Sequence, residues 1–160
     1  MSMQDEKAAL IEQIKHVREV IGGLINDVDP NLIIHADSGW RLRDILVHVT
    51  AWEQEAIAAA EAHIGGGPEL PLQNIPKFNQ DAYEGGRQAD AQSVQDAWLM
   101  IYDDLIDVVT RAPEESWDIE FICTWGELGT LAQLVRSILS HDEEHAAEIR
   151  RAINESVRPT

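Results

Sequence analysis

Two histidines, His141 and His145, lie four residues apart inside the stretch TLAQLVRSILSHDEEHAAEIRRAI, Thr130 to Ile153. If that stretch is helical, a four-residue step brings both side chains to one face, one turn apart. Two imidazoles so placed can reach one metal ion. The pair alone is weak evidence, because six histidines in a chain this long give such a spacing by chance about 0.18 times. A metal centre therefore needs a third ligand from elsewhere. His48 belongs to another helical stretch, at the edge of its apolar stripe. That position suits a side chain aimed into a cleft between helices, and suits a surface histidine nearly as well. Glu148 falls roughly 20° from His141 on the helical wheel. It can orient a ligand or move a proton, and Glu55 bears a similar relation to His48. Both also read as solvated carboxylates on helix flanks.

The elements that must position these groups can be read from apolar spacing. In the last helix, Leu131, Leu134, Val135, Ile138, Ile149 and Ile153 form the stripe, with Thr130 as N-cap. A first helix spans residues 4–27 with a seam of Leu10, Ile14, Val17, Ile21 and Leu24, and Asp29-Pro30 ends it. His16 lies off that seam, as a surface residue. A second helix runs roughly from Arg41 to His63, capped by Ser38 or Asp37, with Leu42, Ile45, Val49, Trp52, Ala56 and Ala60 facing the core. A third runs from about Ser93 to Arg111, with Ser93 and Asp96 resembling a capping box and Trp98, Ile101 and Leu105 buried. Between the second and third, residues 64–92 form a long connection whose glycines and three prolines rule out a continuous helix. Phe78, Asn79 and Tyr83 in it either line a pocket or pin the loop to the core. Residues 112–129 read as irregular but bulky, and the tail from Asn154 as frayed. No strand alternation stands out. The expectation is an all-α fold, a four-helix bundle in one domain over residues 1–160. The long crossover between helices 2 and 3 suggests that these two run parallel.

Composition bounds the function. Acidic residues outnumber basic ones by 29 to 12, giving a formal net charge of −17. That field repels phosphate backbones and anionic lipid, so nucleic acid and membrane partners are disfavoured. There is no apolar run of membrane length and no signal-peptide pattern at the N-terminus, so the expected location is cytoplasmic. Cys123 is the single cysteine. It excludes an internal disulfide and a Cys-rich zinc site, and nothing in the local sequence supplies the positive partner a reactive thiolate needs.

The helix-2 stretch GWRLRDILVHVTAWEQE and the helix-4 stretch HDEEHAAEI, in that order, resemble the DinB/YfiT-like superfamily of metal-dependent four-helix bundles. The KFNQDAY step in the crossover resembles its ClbS/DfsB branch. The resemblance implies a divalent metal held by one histidine of helix 2 and two of helix 4, which here are His48, His141 and His145. Three imidazoles leave positions open for water or substrate, the pattern of a catalytic site. Zinc, nickel, iron and manganese are the candidate ions. The resemblance further implies an enzyme of detoxification type, acting on a small electrophile by hydrolysis or by transfer of a low-molecular-weight thiol. Opening of a strained ring in a genotoxic metabolite is the ClbS-like variant. Trp40, Trp52, Asn79 and Trp125 are substrate-pocket candidates, although core packing also explains the tryptophans. The alternative is a non-catalytic protein that binds or sequesters a small molecule, with a structural or vestigial metal. A homodimer through helix faces is an expectation common to such bundles.

Overall fold

Each long helix begins where a side chain satisfies its first free N–H groups. The structure, a computed structural model, describes residues 1–158. Helix α1 (Met3–Ile25) opens on a capping box between Ser2 and Asp5. It buries Leu10, Ile14, Val17, Ile21 and Ile25. It stops two residues earlier than the proline argument places it, because Asp27 takes a left-handed backbone (φ 61°), which a short polar side chain tolerates. A short antiparallel ribbon follows, β1 (Ile33–His35) with β2 (Trp40–Arg41). It displaces the expected Ser38 or Asp37 cap of the next helix. In α2 (Leu42–Ile64) the Asp44 carboxylate instead accepts the Arg41 N–H at 2.9 Å and takes two bonds from the Arg41 guanidinium.

The long connection contains a helix of its own, α3 (Ile75–Gly86). Asn74 caps it by accepting the Lys77 N–H. Pro76 falls in the first turn, where its missing N–H is harmless, so the proline that argued against a helix here is compatible with its start. Phe78 packs against Trp52 with ring centroids 4.3 Å apart and planes tilted by 42°. Gly86 lies so close to α2 that a Cβ there would sit 2.6 Å from Val47 Cγ1. Helix α4 (Ala91–Arg111) is capped by Asp90, not by the Ser93–Asp96 pair. The Asp90 carboxylate accepts both the N–H and the hydroxyl of Ser93, which moves the start two residues earlier. The segment expected to be irregular holds one turn of helix, α5 (Glu114–Trp117), and a ribbon of β3 (Phe121–Ile122) with β4 (Leu128–Gly129). Both ribbons are too short to show alternation in sequence. Helix α6 (Leu131–Ser156) starts on the Thr130–Gln133 capping box and continues three residues past Ile153. The end of the expected tail, residues 159–160, lies outside the described residues.

The helices α1, α2, α4 and α6 make the four-helix bundle. α1 and α2 each pack between α4 and α6. Lys7 reaches the last carbonyls of α4, at Thr110 and Ala112, while Arg18 pairs with Asp103 at 2.6 Å, so α1 and α4 are antiparallel. Arg43 bonds to Ala89 near the start of α4 and Glu61 pairs with Arg111 at its end, so α2 and α4 run parallel across the crossover. One continuous core joins residues from all four helices, with Trp98 and Tyr102 fully buried. No helix of the described residues is long and apolar enough to cross a membrane.

Candidate metal centre

His48 projects from α2, and His141 and His145 from adjacent turns of α6, which lies against α2. Their Nε2 atoms converge: His141 stands 3.1 Å from His48 and 3.2 Å from His145. All three donor atoms lie within 4.8 Å of one another. Two imidazoles bound tetrahedrally to zinc at about 2.0–2.1 Å would hold their nitrogens roughly 3.3 Å apart. The spacing therefore fits a common divalent ion. Hydrogen bonding alone accounts for it less well, since nitrogens facing one another need alternating tautomers.

The surroundings of His48 and His145 favour their neutral form. Burial, followed by the charges His145 and His141 would carry, pushes His48 down to about 3. Burial also lowers His145, outweighing its hydrogen bond to Glu148. Neutral imidazole is the form a metal requires. Glu148 accepts hydrogen bonds at 2.8 Å from His145 Nδ1 and from His35 Nε2. Burial by itself would raise this carboxyl, but the bonds from His35 and His145 hold it below the usual range. The bond to Glu148 assigns the Nδ1 proton of His145 and leaves its Nε2 lone pair facing the centre, the arrangement that orients histidine ligands in metal sites. His35, His145 and Glu148 also form a second group of donors within 4.8 Å, which these two hydrogen bonds already explain.

Beneath His141 lies a buried polar group that sequence reasoning missed. Asp142 is fully buried and accepts the Tyr102 hydroxyl at 2.7 Å, while its other oxygen stands 3.4 Å from His141 Nδ1. Glu53 is fully buried beside it, its carboxyl set against that of Asp142. Burial first, and the Asp142 charge second, raise the Glu53 carboxyl well above the usual range, so it holds its proton. The same two causes raise the Tyr102 hydroxyl. A signal was available: Asp142 occupies the gap between Ile138 and Ile149 in the apolar stripe of α6, where a charged residue must be buried. His35, on β1, carried no comparable signal.

A cleft of about 270 Å³ opens against His48 and His141. Trp52, Asn79 and Trp125 line it, with Ile75, Glu127, Ser137 and Ile138. Trp52 donates its indole N–H to Asn79 Oδ1 at 2.8 Å. Trp40 is not part of that lining. It sets its ring edge against His48 at 5.5 Å and stacks on Tyr83 at 5.4 Å. Glu55 makes no hydrogen bond to the histidines, and one of its oxygens is buried without a partner among the described residues. A larger hollow of about 550 Å³, beside His63 and Phe121 at the far end of α2, touches none of the three ligand candidates. Cys123 is buried and its thiol is raised by that burial, which leaves it inert as a nucleophile.

A half-buried tri-histidine cluster at the mouth of an aromatic cleft, in a bundle whose crossover makes two helices parallel, defines a class, and comparison with known proteins names it. Residues 27–152 match the mycothiol maleylpyruvate isomerase N-terminal domain family, so the chain belongs to that family, within the DinB/YfiT-like superfamily. Among solved structures, the mycothiol-dependent maleylpyruvate isomerase superposes with a TM-score of 0.76 at 10% identity over 93% of this chain. The chain spans 61% of that protein's length. YfiT from Bacillus subtilis, described as a probable metal-dependent hydrolase with an unusual four-helix bundle topology, superposes with a TM-score of 0.76 at 13% identity, covering 98% of this chain and 90% of YfiT. An uncharacterised protein from Clostridium difficile 630 gives a TM-score of 0.75 at 11% identity, covering 95% of this chain and 97% of its own. At such identities the superpositions show the fold alone. No curated protein matches the sequence. The narrower ClbS/DfsB likeness rests on the sequence motifs.

Proposed function

We propose that this chain is a metal-dependent enzyme that presents a small electrophile to a nucleophile at the His48, His141 and His145 cluster, with transfer of a small thiol as the favoured reaction and hydrolysis as the variant. The observation that carries this reading is the convergence of three Nε2 atoms at one end of an open aromatic cleft. A divalent ion held there supplies Lewis-acid chemistry, lowering the proton affinity of a thiol or a water so that an anionic nucleophile exists near neutral pH. The chain does the rest. Glu148 holds His145 in the donor-ready tautomer, and the His35–Glu148 pair, part-exposed, connects the ligand shell to the surface. Trp52 and Trp125 line the approach and give it an apolar wall. The mycothiol dependence of the isomerase neighbour and the hydrolase description of YfiT support these two reactions respectively. Consumption of reactive electrophiles would make the physiological role protective.

The test is turnover by zinc-loaded protein with a small thiol and a chromogenic electrophile, beside a chromogenic ester as the hydrolytic arm. Many turnovers per chain in the thiol arm, abolished in His48→Ala and in His145→Ala, are expected. Consumption of one equivalent of electrophile per chain, with none thereafter, would contradict an enzyme and leave a sequestering protein.

A further inference from the structure

Asp142 is the one charged residue on the buried face of α6, and none of it is exposed. A carboxylate taken out of water is stabilised only by hydrogen bonds and an opposite charge. Three helices converge to hold this one. Tyr102 of α4 donates its hydroxyl to one oxygen at 2.7 Å. Glu53 of α2, which holds its proton, faces the carboxylate as a second donor. Trp98 sets its ring against Tyr102 at 5.6 Å and 89°, which confines the phenol. Among the described residues no lysine or arginine pairs with Asp142. Its one charge partner is His141, whose Nδ1 stands 3.4 Å from the other oxygen.

The second nitrogen of that ring defines what Asp142 can do. Nε2 of His141 stands 3.1 Å from His48 and 3.2 Å from His145, in the middle of the cluster. A neutral imidazole carries one proton. With an acceptor at Nδ1 the proton resides there, and the Nε2 lone pair faces the cluster. Glu148 does the same for His145, but its side chain is 33% exposed and it is shared with His35. The Nδ1 of His48 is buried with no hydrogen-bond partner among the described residues. Of the two carboxylates that act on the cluster, only Asp142 is shielded from solvent.

Resting on the reading of the three histidines as a metal centre, we propose that Asp142 is its buried positioning residue: clamped by Tyr102 and Glu53, it accepts the Nδ1 proton of His141, aims Nε2 at the ion and places a fixed negative charge behind it. The ion and Asp142 are then counter-charges across one imidazole. Because no water screens Asp142, its effect on metal affinity is insensitive to salt, unlike that of Glu148.

The test is zinc affinity of Asp142→Asn and Tyr102→Phe by chelator competition, at a temperature where circular dichroism shows the metal-free proteins folded. Asp142→Asn keeps the shape and loses the charge. It should bind zinc about 10- to 100-fold more weakly than wild type, by the same factor at low and high salt. Tyr102→Phe leaves the charge but loosens it, and should weaken zinc several-fold. Long-range proton–nitrogen NMR of metal-free wild type at mildly alkaline pH, which needs no variant, should find His141 protonated at Nδ1. A carboxylate that only supports packing would lower the melting temperature of Asp142→Asn and leave the zinc affinity of the folded variant unchanged. That result, or His141 protonated at Nε2, would overturn the proposal while the metal centre stands. Wild type that binds no zinc would overturn the metal reading and this proposal with it, an outcome distinct from an Asp142→Asn variant that binds as wild type does.

Discussion

At the scale of single residues, the tri-histidine cluster is held in place by groups outside it. Glu148 fixes the tautomer of His145 through a 2.8 Å bond. Glu148→Gln retains the shape but removes the charge, and should weaken zinc affinity by about 10- to 100-fold in chelator competition, with little change in the fold. Affinity equal to wild type would show that the carboxylate merely pairs with His35. Glu53 yields a prediction in pH. Its folded carboxyl is raised, so the folded chain keeps a proton that the unfolded chain releases above its ordinary value of 4.5. Its stabilising contribution is therefore full below that value and is lost as pH rises through the folded pKa. Glu53→Gln cannot lose this proton, so its melting temperature should gain on wild type as pH is raised from 5 towards 8. An advantage that stays constant or shrinks would mean that Glu53 is ionised in the fold. The histidines were visible in the sequence because an i, i+4 pair is a spacing any helix turns into a contact. The Asp142–Tyr102–Glu53 group was not, since its members come from three helices and meet only on packing, although Asp142 in mid-stripe was a readable clue.

At the scale of elements, the four long helices were legible because each carries a recurrent three- and four-residue apolar spacing, which in α6 only Asp142 interrupts. Their starts were less so. Asp44 and Asp90 act as caps from positions that tertiary pairing or a neighbouring serine determines, and the β1–β2 ribbon shifts the entry to α2. Helix α3 escaped notice because none of its residues is fully buried, so its apolar signal is weak, and because glycines and prolines flank it. Its seat on α2 matters for the site, since α3 brings Asn79 to Trp52. Gly86 is the tight point of that seat. Gly86→Ala should destabilise the protein by about 1–3 kcal/mol through overpacking on Val47, read by denaturant titration, with Val47→Ala restoring part of the loss. A neutral Gly86→Ala would show that α3 rides loosely on the bundle.

At the scale of the whole molecule, the crossover is what creates the centre. It makes α2 and α4 parallel and puts α6 antiparallel against α2, so that His48 meets His141 and His145 across one helix–helix seam. The order of the motifs along the chain conveyed this family-level arrangement. The charge character of the cleft was not legible, because its lining comes from α2, α3, α6 and the loop between β3 and β4. The surplus of acidic residues favours accumulation of cations near the molecule. The most direct test of the account is element-resolved metal analysis of tag-free protein, wild type beside His141→Ala, after reconstitution with zinc, nickel, iron or manganese and removal of loose ions. The account predicts close to one ion per chain in wild type and little in the variant. Wild type that retains no ion, or a variant that retains as much as wild type, would contradict it.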